Sequence, residues 1–112
     1  MNAPAIYFVR FWVNPSSAKK VFDYLDQVHL KDVVSQPGFL WARRYKLAQK
    51  TPEGWPGYQM IYAVDSLASL ETYFNSAASK RYREEAARLG LLDEKVVKME
   101  RVWSDLDASV DR

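Results

Sequence analysis

One histidine, His29, and no cysteine set the terms for any chemistry this chain could perform. Imidazole is the side chain whose ordinary pKa lets it exchange protons near neutral pH, so acid–base catalysis would centre on His29. Asp32 follows three residues later. On a helix that spacing sets the two side chains next to each other, where a carboxylate can orient the ring and stabilise its charged form. The plainer alternative is a partly buried structural histidine, bonded to Asp32 or to backbone. Arg10 and Arg43 stand inside aromatic segments, where a cation needs a partner or a polar cavity. Both are therefore candidate anchors for a carboxylate or enolate oxygen, with Arg43 the one read as a substrate-binding residue. The competing reading for both arginines is an interface ion pair, with Glu100 on the last strand as a partner. Tyr7, Trp12, Trp41, Tyr58, Tyr62 and Trp103 could line an aromatic pocket, with Tyr62 the first choice for a polar group within it. For most of them the alternative is packing in a core or between two copies.

Other chemistries are disfavoured by composition. Without cysteine there is no disulfide, no thiolate nucleophile and no cysteine-ligated zinc. A metal site would have to be built from carboxylates and one histidine, so no metal and no cofactor are expected. There is no phosphate-cradling glycine loop and no nucleophile elbow. The formal net charge is only +2, and basic residues interleave with acidic ones, as in Lys80-Arg81-Tyr82-Arg83-Glu84-Glu85. No basic stripe exists to follow phosphates, and nucleic acid is not an expected partner. No apolar run approaches the ~20 residues that span a bilayer. The stretch from Met1 to Ala5 has no charged leader, and Arg10 interrupts the apolar run that follows, so neither a signal peptide nor a membrane partner is expected. The lack of cysteine fits a reducing compartment, and the expected location is the cytoplasm.

The elements that must position these residues follow from periodicity. Ala5 to Val13 is dense in aromatic and β-branched residues and reads as a strand. Tyr7, Val9, Phe11 and Val13 fall on one face, and Ile6, Phe8, Arg10 and Trp12 on the other. Both faces are apolar, so both must be covered. Asn14 can cap a helix and Pro15 can occupy its first turn. The helix then runs to about Ser35, with Val21, Leu25, Val28 and Asp32 sharing a face that His29 and Val33 flank. Pro37-Gly38 ends it. Phe39 to Ala48 is a second strand, with Phe39, Trp41, Arg43 and Tyr45 on one side. A Pro/Gly loop carrying Trp55 leads to a third strand, Tyr58 to Val64. Asp65 and Ser66 can cap a second helix that breaks near Asn75-Ser76, resumes at about Ser79 and stops before Gly90. Lys95 to Trp103 is the last strand, and an acidic tail covers 104–112.

The order is βαββαβ, the split pattern of ferredoxin-like α+β folds: a four-stranded antiparallel sheet with helices on one face. The expectation is one domain over 1–112, its core from about 5 to 106. Its uncovered sheet face still carries large apolar groups. A second copy packed sheet to sheet is the economical cover, so a homodimer is expected.

Three stretches carry a family likeness: Tyr7-Phe8-Val9-Arg10-Phe11, the helix end His29-Leu30-Lys31-Asp32-Val33-Val34, and Pro37-Gly38-Phe39 opening a strand. Together they resemble the dimeric α/β-barrel superfamily, which includes EthD-like proteins, NIPSNAP-like proteins and the antibiotic-biosynthesis monooxygenases. The likeness runs from about Ala5 to Leu106 and is nearest to the EthD-like members. It implies a paired α/β barrel with a small-molecule ligand in a helix–sheet cleft of each subunit, and His29 in the place of the EthD-like helix histidine. The haem-degrading branch uses an Asn–Trp–His set with its histidine in the second helix. Here Asn14 reads as a helix cap and His29 lies in the first helix, which counts against haem degradation.

The functional expectation is a cofactor-independent enzyme of isomerase, cyclase or dehydratase type, moving a proton on a small, largely apolar, oxygen-bearing substrate. His29 would be the acid/base and Asp32 its orienter. Arg43, Tyr62, Trp41, Tyr7 and Trp12 would bind substrate. Two alternatives stand beside it: a non-catalytic small-molecule-binding or accessory protein, and a cofactor-free monooxygenase acting on an aromatic substrate.

Overall fold

The computed structural model describes residues 3–112; Met1 and Asn2, which open the stretch read as lacking a leader, lie outside the described residues. The chain forms β1 (Ala5–Val13), α1 (Ala18–Tyr24), a π-helical turn (Leu25–His29), α2 (Leu30–Val34), β2 (Phe39–Lys46), β3 (Gly57–Val64), α3 (Leu67–Phe74), α4 (Ala77–Arg88) and β4 (Val97–Asp105). The strands make one antiparallel sheet in the order β2-β3-β1-β4. This is the expected ferredoxin-like α+β architecture, with α1, the π turn and α2 acting as its first helix and α3–α4 as its second.

Local signals explain most boundaries. Asn14 accepts a hydrogen bond from the Ser16 amide (3.1 Å) and Pro15 begins a 3-10 turn, Pro15–Ser17, that leads into α1. Ser66 caps α3 through the Ser69 amide (3.0 Å). The second helix breaks where expected, but it resumes earlier than Ser79: Ser76 caps α4 through the Ser79 amide (3.1 Å), so Ser79 lies inside the first turn. Ser104 and Asp105, expected to open the tail, instead extend β4 by pairing with Ile6 and Ala5.

Register decides which side chains face the helices. Tyr7 lies opposite Tyr62 and Trp103, Val9 opposite Met60 and Arg101, and Phe11 opposite Tyr58 and Met99. Directly opposed residues share a face, so these rows form the floor on which the helices pack. Tyr7, Phe11, Met60 and Tyr62 join Val21, Tyr24, Val33, Leu70, Tyr73 and Tyr82 in one buried core. Ile6, Phe8, Arg10 and Trp12 lie on the opposite face with Ala63, Ile61, Gln59 and Gly57.

Two irregularities depart from simple periodicity. β2 has a register shift between Phe39, opposite Val64, and Trp41, opposite Ala63. The extra residue, Leu40, flips the alternation. Phe39 therefore faces the helices, as do Ala42 and Arg44, while Trp41, Arg43 and Tyr45 face the other way. The expected single face of Phe39, Trp41, Arg43 and Tyr45 does not exist. In the first helix, the π turn adds a residue to one turn. In an uninterrupted α-helix, Val28 would follow Leu25 on the buried side. Instead Val28 is 42% exposed, and Val33, one turn past His29, is 2% exposed. The wide turn rotates Val28 outward and His29 inward.

Candidate functional site

The first helix and the α3–α4 pair straddle the sheet and leave a cavity of about 140 Å³ between them and the floor. Tyr7 and Val9 of β1, Tyr62 of β3 and Arg101 of β4 contribute the floor; His29, Tyr73 and Tyr82 close it from above. The volume matches a cavity able to hold one benzene-sized ring.

His29 reaches this space because the π turn aims it there. Its ring stacks on Tyr24 (centroids 5.4 Å apart, planes at 22°) and meets the edge of Tyr82 (5.0 Å, 89°). Its Nδ1 lies 3.5 Å from the Tyr24 hydroxyl, at the outer limit of a hydrogen bond. Burial among these rings pulls the imidazole pKa down from 6.5 to about 4; the Asp32 carboxylate opposes that pull and the Arg101 guanidinium adds to it. At neutral pH His29 is thus an uncharged imidazole with a free ring lone pair, and a weaker base than an exposed histidine. The phenols around it are held in their neutral, donating form. Burial first, and then neighbouring groups, pushes Tyr24 up to about 12 and lifts Tyr62 and Tyr73 further; burial also raises Tyr7. Tyr7 and Tyr62 stack with their ring centroids 5.6 Å apart.

Of the residues singled out in the sequence, the structure brings His29, Tyr7 and Tyr62 to one cavity. It does not bring the others. Asp32 is exposed, and its carbonyl accepts from Ser35 Oγ (2.6 Å) and Gln36 Nε2 (3.2 Å). It acts on His29 through charge alone, and Tyr24 and Tyr82 are the rings packed against the imidazole. Arg43, Trp41 and Trp12 lie on the sheet face away from the cavity. The Arg43 guanidinium sits 4.1 Å above the Trp41 ring, and the bulge at Leu40 put both there. The Trp12 indole covers Gly57, its cross-strand partner, so closely that a Cβ at Gly57 would stand 2.6 Å from it. The β2 arginine that does face the helices, Arg44, forms a two-pronged ion pair with Asp26 (2.6 and 3.3 Å). Arg10 donates to Gln59 (2.6 Å) on the outer face, beside its cross-strand neighbour Glu100.

Sequence reasoning missed Tyr24, Tyr73, Ser79 and Arg101 as cavity residues. Arg101 carried a usable signal: it alternates with Met99 and Trp103, so whichever face of β4 is covered by helices must hold all three. Among the described residues, no three His, Asp or Glu side chains cluster as a metal site requires, and no helix is long and apolar enough to cross a membrane.

The family described as "Domain of unknown function (DUF4286)" matches residues 4–102. No curated protein matches the sequence. Solved structures share the fold. One is a protein from Deinococcus radiodurans assigned provisionally as an antibiotic biosynthesis monooxygenase, at a TM-score of 0.70 and 12% identity, covering 96% of this chain and 97% of that one. A hydroxynitrile lyase from Passiflora edulis superposes at a TM-score of 0.63 and 11% identity, covering 98% and 100%. An EthD family protein from Bacillus halodurans superposes at 0.60 and 13%, covering 88% and 96%. The fold expected from the likeness to antibiotic-biosynthesis-monooxygenase and EthD-like proteins is borne out.

Proposed function

The chain belongs to the DUF4286 family, and from that premise we propose that it is a cofactor-independent enzyme that uses His29 to move a proton on a small, largely apolar, oxygen-bearing molecule. The observation that carries this reading is an uncharged imidazole, turned by a π-helical turn into a ring-sized cavity walled by phenols. π turns recur at functional sites because they re-aim one side chain at the expense of a regular helical hydrogen bond. A neutral imidazole in an apolar setting can take a proton from carbon or oxygen. Charge that develops on the substrate oxygen would be met by a phenol O–H, with Tyr62 the first candidate. The neighbours' names, a hydroxynitrile lyase and a monooxygenase, support the view that this fold hosts small-molecule chemistry. On this reading the chain works in the cytoplasm as a homodimer, two sheets packed through their outer faces.

The test is deuterium exchange. Acetophenone and cyclohexanone, each a single ring bearing a carbonyl, are incubated with the protein in D2O and deuterium on the α-carbon is followed by NMR. The wild type is expected to accelerate exchange, and His29→Ala to lower that rate by roughly 10²–10⁴-fold while leaving the fold intact. Equal exchange by the two proteins would end the proposal. Saturable binding of either ketone without exchange would favour the non-catalytic binding reading.

A further inference from the structure

The charge on the cavity wall is one-sided. Among the described residues two arginines, Arg83 and Arg101, line it, and no aspartate or glutamate does. Arg83 is engaged, donating to Ser79 Oγ (2.6 Å). Arg101 makes no ion pair among the described residues, in contrast to Arg44, which holds Asp26. It stands on the edge strand opposite Val9, facing the helices between Met99 and Trp103. From there it extends into a shallow neighbouring groove, where Glu94 is the one carboxylate. Its charge reaches both the His29 ring and the Tyr7 hydroxyl, adding to the lowering of the imidazole pKa by burial and opposing the rise that burial gives the phenol. The imidazole is uncharged, so positive potential at the cavity mouth comes from guanidinium groups alone.

A guanidinium without a counter-ion, at the edge of a ring-sized apolar cavity, calls for a planar anion attached to a ring. The guanidinium fork matches a carboxylate in two parallel hydrogen bonds, and such charge-assisted pairs are about twice as strong as neutral ones. We propose that Arg101 anchors the carboxylate of a single-ring acid whose ring fills the cavity beside His29. The inference rests on the cavity being a ligand site, as proposed above, and it adds the ligand's class: an aromatic or alicyclic monocarboxylate. It also reassigns the anchoring role from Arg43, which the β2 bulge turns to the opposite face, to a residue on β4.

Benzoate and benzamide test it, since they share shape and differ in charge. Calorimetric titration of the wild type at pH 7 is expected to give benzoate an affinity about 10-fold or more above that of benzamide. Arg101→Gln should abolish the difference and leave the melting temperature unchanged. Arg83→Gln should preserve it. Equal affinities in the wild type, or a preference for benzoate that survives in Arg101→Gln, would overturn the anchor while leaving the cavity a ligand site. A preference lost only in Arg83→Gln would overturn it in favour of that residue. If neither compound binds at millimolar concentration, the ligand-site reading and the anchor fall together.

Discussion

His29 is the residue on which the functional reading turns, and its burial has a consequence for stability as well as for chemistry. In the folded chain it stays neutral down to about pH 4, whereas in the unfolded chain it takes a proton near its ordinary value of 6.5. Between those values the unfolded state binds the extra proton. Stability is therefore complete above about pH 6.5 and falls as the pH drops towards 4, by on the order of 3 kcal/mol from this group. Thermal melts of the wild type and His29→Gln between pH 7 and 4 should show the variant losing less stability over that range. Parallel curves would mean that the folded imidazole titrates at its ordinary value and that burial does not hold it neutral. That His29 was the residue to watch was legible in the sequence, because there is no second imidazole. Its true neighbours were not. Asp32 is close in sequence, but Tyr24 and Tyr82 hold the ring.

At the scale of elements, two single-residue insertions decide what the cavity contains. The bulge in β2 turns Arg43 and Trp41 away from it, and the π turn brings His29 in. Mutations can read the helix register directly. With Val28 facing solvent, Val28→Ser should change stability by no more than about 0.5 kcal/mol. Val33→Ala should cost roughly 2 kcal/mol, because it empties a fully packed position. The reverse order in denaturant melts would show an uninterrupted α-helix, with His29 rotated off the cavity. The turn into β2 is equally constrained. Gly38 has φ +88°, and a Cβ there would stand 2.6 Å from the Ser69 Cβ. Gly38→Ala should therefore destabilise the protein by at least ~1–2 kcal/mol, measured in the same way. Pro37-Gly38 as a helix stop was visible in the sequence; that it packs against α3 was not.

For the whole molecule, the outer sheet face remains to be covered. Val102 is 53% and Tyr45 54% exposed on it, beside half-buried Phe8, Ile61 and Trp41, and the indole nitrogen of Trp41 is buried there without a hydrogen-bond partner. The proposed homodimer would bury this surface. Light scattering at micromolar concentration should give twice the 13.0 kDa chain mass, and Phe8→Asp should return it to one; a wild type already at the single-chain mass would sink the pairing. The sequence by itself determined the order of the elements, the caps at Asn14 and Ser66 and the parity of β1 and β3, because these depend on residue types a few positions apart. Strand parity failed where one extra residue entered β2, and helical phase failed where one entered the first helix. Neither insertion has a local marker strong enough to reveal it. Both are set by what the segment must pack against: β2 by its pairing with β3, the first helix by the aromatic floor beneath it. Only the tertiary structure could therefore decide that Arg101 and not Arg43 shares the cavity with His29, since that depends on which face of each strand the helices cover.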